Sequence, residues 1–347
     1  MDYRFLGKTD IQVSALCLGT MTFGGQNTEQ EAFEQLNLAT EQGINFIDTA
    51  EMYSIPTSAN TCGDSETILG NWLQQTSHIK REELILATKV TGPSRIKHIR
   101  AGNARLDADN IQQAIDGSLK RLQTDYIDLY QLHWPDRNTN FFGTLSYQHR
   151  ENFDETPIEE TLLALKQLVD AGKVRAIGLS NETAWGAMTF IHLAKCLDLP
   201  LVCSIQNPYN LLNRSFELNL AEISHREQLS LLAYSPLAFG TLTGKYRQGQ
   251  QPQHARCTLF KEFKRYSNLQ SIKAIEAYAE LADQYNVSLT TLALAFIKQQ
   301  SFVTSTIIGA TSLFQLKENI AAFDVELDKE ITAKINKIHA KYTYPAS

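Results

Sequence analysis

Eight short apolar runs rich in β-branched residues punctuate the chain, at 15–18, 44–47, 84–88, 126–130, 174–179, 202–205, 229–233 and 304–308. Between them lie longer stretches with apolar residues at helical spacing, among them 29–42, 65–75, 107–121, 158–171, 184–197 and 217–227. Short continuous apolar runs suit strands buried on both faces, and a period near 3.6 suits helices that cover such a sheet. Strand followed by helix, repeated eight times, predicts an α/β fold closed into a parallel (β/α)8 TIM barrel. An open doubly wound sheet would want Gly-x-Gly-x-x-Gly after the first strand. That turn instead reads Gly19-Thr20-Met21-Thr22-Phe23-Gly24.

Two regions break the rhythm. A long polar loop runs from the seventh strand to about Asn268, followed by two consecutive helical patterns, 269–285 and 289–299. A last helical pattern, 329–342, forms an extra C-terminal helix expected to pack across the barrel. Three βα loops, 54–64, 91–106 and 134–156, are longer than a simple connection needs. With no low-complexity linker, residues 1–347 read as a single barrel domain.

Composition excludes several classes of function. Hydrophobic residues make up 43% and charged residues 20%, which is ordinary globular usage. The net charge is −6 and no basic block tracks a phosphate backbone, so nucleic acid is not an expected partner. The start, Met1-Asp2-Tyr3-Arg4, carries no apolar signal core, and the most apolar later stretch, 289–297, is too short to span a bilayer. Five cysteines, Cys17, Cys62, Cys196, Cys203 and Cys257, never form a Cys-x-x-Cys pair, which disfavours a disulfide framework or a zinc site. A cytoplasmic protein without a metal is the expectation.

In a barrel of this kind, chemistry sits at the C-terminal ends of the strands. Four polar residues there form a coherent set: Asp48 and Lys89 end the second and third strands, Tyr53 follows in the next loop, and His133 ends the fourth. Adjacent strands bring such side chains together. Reducing a carbonyl produces an alkoxide that must be protonated, and a phenol with a pKa near ~10 is a weak acid at neutral pH. A cation ~4 Å away, at an effective dielectric of ~20, is worth ~4 kcal/mol, or roughly three pKa units. Lys89 is therefore expected to lower the Tyr53 pKa, Asp48 to keep Lys89 charged, and a neutral His133 to hydrogen-bond the substrate oxygen.

Each residue alone has a plainer reading, as a helix cap, a packing aromatic or a structural histidine. Lys89 tips the balance, because a lysine ending a buried strand is costly unless it is paired. A Schiff-base aldolase using Lys89 would need it neutral, whereas Asp48 keeps it protonated. A metal-dependent barrel hydrolase would want His-x-His closing the first strand, which is not present.

These motifs resemble the aldo-keto reductase family. Asp48-Thr49-Ala50-Glu51-Met52-Tyr53, Ala87-Thr88-Lys89 and Leu132-His133-Trp134 match its tetrad motifs in order and spacing, and the likeness runs from Leu16 to Thr311. The resemblance implies NADPH as cofactor and Tyr53 as general acid. It places the nicotinamide amide against Ser180, Asn181 and Gln206, with Tyr234 on the ring, and sets Gly19, Thr20 and Met21 beside it. Ser235-Pro236-Leu237 and Gly240 would take the pyrophosphate. Lys245 and Arg256 would take the 2′-phosphate, and Gly309, Thr311, Gln315, Glu318 and Asn319 the adenosine. Ser180 and Asn181 also suit N-caps of the helix near Ala184, and Ser312 with Gln315 suits a capping box. Gly240 to Lys245 looks like a P-loop but is one residue short and lacks the magnesium-binding hydroxyl.

The partner implied is a small-molecule carbonyl substrate, with no nucleic acid or membrane, bound by a monomer or weak homo-oligomer. Trp134 is the candidate substrate contact. The second long loop carries Arg95, Lys97, Arg100 and Arg105, and the third carries Phe141, Phe142, Tyr147 and Phe153, which together suggest an aromatic or anionic carbonyl compound. The potassium-channel β subunits, more distant members of the family, supply the alternative of a cofactor-bound regulatory or sensor subunit.

Overall fold

The computed structural model describes residues 1–150 and 154–346. An antiparallel hairpin of β1 (Tyr3–Phe5) and β2 (Gln12–Ser14) opens the chain. Eight parallel strands follow: β3 (Leu16–Gly19), β4 (Phe46–Asp48), β5 (Ile85–Val90), β6 (Ile127–Leu132), β7 (Val174–Ser180), β8 (Val202–Pro208), β9 (Ser230–Tyr234) and β10 (Val303–Ile308). They close into a barrel in chain order, with β10 paired to β3. All eight lie within a few residues of the expected runs.

Seven helices separate or follow the strands: α1 (Glu29–Glu41), α2 (Asp64–Gln75), α3 (Ala108–Leu122), α4 (Ile158–Asp170), α5 (Ala184–Leu197), α6 (Leu220–Glu227) and the short α7 (Arg256–Leu259). Then come α8 (Leu269–Gln284), α9 (Leu289–Lys298), α10 (Leu313–Ala321) and α11 (Lys329–Lys341). Many begin where a short polar side chain caps the first turn. Thr28 and Glu31 form a full capping box, and Asp107, Thr183 and Ser288 each accept a backbone N–H. The expected helix at 217–227 is interrupted at Asn219, which leaves a short 3-10 turn before α6.

Alternation along the strands divides the core in two. Outward-facing Ile47, Leu86, Tyr130 and Ile177 pack against the helices, whereas inward-facing Phe46, Ala87, Leu129 and Leu232 fill the barrel. The hairpin, which the strand–helix pattern did not reveal, adds Leu6, Ile11 and Val13 to that inner cluster and stops the barrel's lower end. The C-terminal helix does not cross the barrel as expected. It packs on α8, with Ile331 and Ile335 buried and the Tyr285 hydroxyl donating to Glu330 at 2.8 Å. The physical reason is that the two consecutive helices after β9 divide the work. α9 is buried almost all round, while α8 sits outside it and needs a cover for its own apolar face.

α2 and α3 approach closely at Gly70, where an added methyl would run into the Arg121 carbonyl oxygen and the Leu122 backbone. Backbone on both sides cannot yield. Gly70→Ala is expected to lower unfolding stability by about 3 kcal/mol, read as a lower denaturant midpoint at unchanged slope. A midpoint equal to that of the parent protein would contradict this packing.

Candidate active site

The same two-residue period that fills the barrel builds the site. Directly above the apolar layer of Phe46, Ala87 and Leu129, the next inward-facing positions are Asp48, Lys89 and Gln131. The register aligns Lys89 with Gln131 and Ser180 with Gln206, so this layer is polar across several neighbouring strands. It lies at the C-terminal mouth, where the loops begin.

Lys89 is fully buried and donates to Asp48 Oδ2 at 2.6 Å, to the Thr49 carbonyl at 2.7 Å and to the Tyr53 hydroxyl at 3.4 Å. The other Asp48 oxygen accepts from Gln206 at 2.8 Å and from Gln131 at 3.0 Å. A buried carboxylate and a buried ammonium thus satisfy each other and are satisfied further by amides and a carbonyl, which such a pair requires. Burial alone would lower the Lys89 pKa, but Asp48 and Tyr53 outweigh it and hold the ammonium above its ordinary value. That suits a fixed cation and not a neutral nucleophile.

Tyr53 departs from the sequence expectation. Burial raises its pKa, and the opposing pull of Lys89 offsets that rise without reversing it. Desolvation of a phenol inside the mouth outweighs Lys89, which is itself shared with a carboxylate, together with a weaker pull from Arg256. Tyr53 therefore stays protonated across the neutral range. The His133 ring stands edge-on to it, with centroids 5.7 Å apart. Burial and Lys89 push the His133 pKa well down, so the imidazole is neutral, as expected, and its Nδ1 has no protein partner.

These groups open into one cleft of about 1220 Å³. Asp48, Tyr53, His133 and Trp134 line one part. The rest is lined by Gly19, Met21, Ser180, Asn181, Gln206, Tyr234, Ser235, Pro236, Leu237, Gly240, Lys245, Arg256, Gly309, Thr311, Gln315, Glu318 and Asn319. Thr20 alone of the anticipated cofactor residues lies outside it, because its buried hydroxyl turns back to the Asp48 carbonyl and to Ser65.

The polar amides near the tetrad are ordered among themselves. Asn181 donates to the His133 carbonyl at 2.9 Å and accepts from the Tyr234 hydroxyl at 2.6 Å. Neither Ser180 nor Asn181 caps α5; Thr183 does. Ser312 caps α10 as expected, but Gln315 reaches back to the N–H and hydroxyl of Thr311 and not to the cap itself.

Farther along the cleft, burial lowers the pKa of both Lys245 and Arg256, and Arg256 lowers that of Lys245 further. Neither forms a salt bridge among the described residues; the Lys245 ammonium lies over the Tyr246 ring and the Arg256 guanidinium near the Phe239 and Phe263 rings. Two cations held near each other, with only the Glu318 carboxylate acting on Lys245 at longer range, fit a phosphate group. Gly240 adopts φ 87°, and a side chain there would press on the Lys245 methylenes. The amides, the Tyr234 ring and this cation pair together fit a nicotinamide dinucleotide.

The basic loop does not behave as expected. Pro93 and Ile96 line the cleft, but Arg95, Lys97, Arg100 and Arg105 do not. Arg100 is taken by Glu51, and Arg105 faces Asp136. Of the aromatic residues, Phe141 and Phe142 join Trp134 in a three-ring cluster on the cleft wall, with centroids 5.1 to 6.4 Å apart. Tyr147 is exposed away from the wall, and Phe153 lies outside the described residues. Gln131 and Glu51 were overlooked in the sequence, although the inward phase Leu129, Gln131, His133 marks the first. Among the described residues no cluster of His, Cys, Asp and Glu is arranged for a metal, and no helix is long and apolar enough to cross a membrane.

A (β/α)8 barrel with this constellation at its mouth defines a class, and residues 15–340 match the Aldo/keto reductase family. The chain belongs to that family. It is 52% identical to Protein tas of Escherichia coli over the full length of both chains. It is 33% identical to the uncharacterized oxidoreductase YrpG of Bacillus subtilis, over 97% of this chain and 96% of that protein. It is 32% identical to an NADH-specific methylglyoxal reductase of Escherichia coli, over 93% of each.

Breaking the buried pair from one side should be costly. Lys89→Met is expected to destabilise the fold by about 3 kcal/mol by leaving Asp48 charged and uncompensated, while Asp48→Asn/Lys89→Met should cost less than the single change. Additive costs in denaturant titrations would show that the two groups do not act as a pair.

Proposed function

We propose that this chain is an NADP(H)-dependent oxidoreductase that reduces aldehyde or ketone carbonyls to alcohols, with Tyr53 as general acid. One observation carries the reading: a protonated phenol and a neutral imidazole on the cleft wall, with a buried ammonium behind the phenol, share that cleft with two cations that form no salt bridge among the described residues. The oxidoreductase and methylglyoxal reductase names of the relatives point to the same reaction class. When bound, the reduced nicotinamide supplies the hydride.

The chain's own groups do the rest. His133 donates a hydrogen bond to the carbonyl oxygen, and Tyr53 delivers its proton to that oxygen as negative charge develops. Lys89 stabilises the phenolate left behind, and Asp48 keeps Lys89 charged and aimed. Ser180, Asn181 and Gln206 would hold the carboxamide, Tyr234 the ring face, Ser235 to Leu237 with Gly240 the pyrophosphate, and Thr311, Gln315, Glu318 and Asn319 the adenosine side. Lys245 and Arg256 support a 2′-phosphate. A relative specific for NADH shows that family membership does not fix this preference, so it rests on those two cations.

Tyr53→Phe removes the proton donor while keeping the ring. It is expected to cut carbonyl-dependent NADPH oxidation by 10²- to 10⁴-fold and to leave the NADPH Kd within about threefold. Wild-type turnover no faster than the variant, on any of a panel of aldehydes, would instead favour a cofactor-bound sensor. Replacing both Lys245 and Arg256 by Ala should weaken NADPH binding by at least tenfold and NADH binding hardly at all. Equal losses for the two cofactors in fluorescence titrations would sink the 2′-phosphate assignment.

A further inference from the structure

Glu51 sits two residues before Tyr53 and Arg100 lies in the next βα loop, neither on the cleft wall as an anion binder. Arg100 grips Glu51 in a fork, Nη1 to Oε2 at 2.7 Å and Nη2 to Oε1 at 2.8 Å. Both side chains are largely buried, at 12% and 7% exposure, so the pair is shielded from the screening that weakens surface ion pairs. Glu51 Oε1 also accepts the Thr91 N–H at 2.6 Å, and the Glu51 N–H donates to the Lys89 carbonyl at 3.2 Å. One carboxylate therefore ties together the Tyr53 loop, the end of the Lys89 strand and the loop from Thr91 onward.

The backbone around Arg100 points the same way. Arg100, Ala101 and Gly102 adopt φ values of 43°, 54° and 83° in succession. Left-handed conformations are unfavourable for residues with a Cβ and persist where surrounding contacts over-determine them. Here they turn the guanidinium inward. Ile99 and Ala104, on either side, pack in one cluster with Ala50, Met52, Tyr53 and Trp134, so the loop supports the catalytic tyrosine by packing as well as by charge.

We infer that the Glu51–Arg100 pair is a positioning device for the reaction, clamping two successive βα loops so that the Tyr53 hydroxyl is held against Lys89. This rests on the reading of Tyr53 as proton donor. The 3.4 Å separation of Tyr53 from Lys89 is the quantity the clamp controls. A misplacement of about 1 Å at a reacting group costs up to ~10²-fold in rate. A retreat of ~1–2 Å from the ammonium also removes about one pH unit of its pull on the phenol. The charged and titratable groups facing Tyr53 are Lys89, Asp48, His133, Tyr234 and Arg256, and none of them belongs to the clamp.

The test compares Arg100→Met, the near-isosteric Glu51→Gln and their combination, in the full chain. Carbonyl reduction is followed with a neutral and a carboxylate-bearing aldehyde. The Tyr53 titration is followed by NMR of protein labelled at tyrosine Cζ, with the resonance identified by its loss in Tyr53→Phe. Each single variant is expected to lower kcat ten- to hundredfold for both aldehydes and to raise the Tyr53 midpoint by about one pH unit. NADPH Kd should stay within about twofold, and the combination should be no worse than the stronger single change.

Folded variants with unchanged kcat and an unchanged Tyr53 midpoint would overturn the inference, and so would a loss confined to KM for the carboxylate-bearing aldehyde. If Arg100→Met does not fold, Glu51→Gln decides. Should the wild type reduce no carbonyl at all, the functional reading fails, yet the Tyr53 midpoint still tests the clamp.

Discussion

The buried ion pair between Lys89 and Asp48 is the constraint around which the mouth of the barrel is arranged. Both charges are almost wholly buried, so each depends on the other and on the amides of Gln131 and Gln206 and the Thr49 carbonyl for most of what solvent would have supplied. These partners come from four strands and a loop, which a closed barrel can bring to one point and an open sheet cannot. The apolar plug below, sealed by the N-terminal hairpin, keeps water from the underside of the pair. Stability and chemistry are coupled here, because the layer that is most expensive to bury is the layer that holds Tyr53.

The electrostatics sort the neighbouring groups into roles. The ammonium stays charged because a carboxylate faces it. The same ammonium, with burial, keeps His133 neutral, and burial keeps the Tyr53 proton in place at neutral pH. One fixed charge therefore has opposite consequences for its two ring neighbours: it opposes protonation of the imidazole and favours ionisation of the phenol. Elsewhere on the cleft wall, Lys245 and Arg256 form no salt bridge like that of Lys89 among the described residues, and Glu318 acts on Lys245 only at longer range. Lys89 is thus locked to a carboxylate, whereas Lys245 and Arg256 remain open to an anion.

Much of this was legible in the chain. The eight β-branched runs gave the barrel, because parallel strands buried on both faces need continuous apolar sequence. Lys89 at the end of such a run gave the site, because a buried ammonium demands a partner. What escaped depends on relations between distant segments. The hairpin is too short and too mixed in polarity to stand out, and its role appears only when Leu6, Ile11 and Val13 meet the barrel floor. Arg100 looked like a free anion binder because nothing local reveals that Glu51, 49 positions earlier, claims it. The Tyr53 pKa was misjudged in direction because sequence supplies the nearby cation but not the depth of burial. The docking of α11 on α8 likewise turns on which helix is left half-covered.

The claim that stands above the rest is that the buried phenol, and not the imidazole, is the proton donor. The pH dependence of kcat/KM for a neutral aldehyde at saturating NADPH tests it most directly. Because Tyr53 is raised above its ordinary value while His133 is depressed, activity should hold from about pH 6 to 9 and fall only near or above the phenol's ordinary pKa of ~10. A decline centred near pH 7 or below, with Tyr53→Phe following the same curve, would assign the proton to another group and contradict the account.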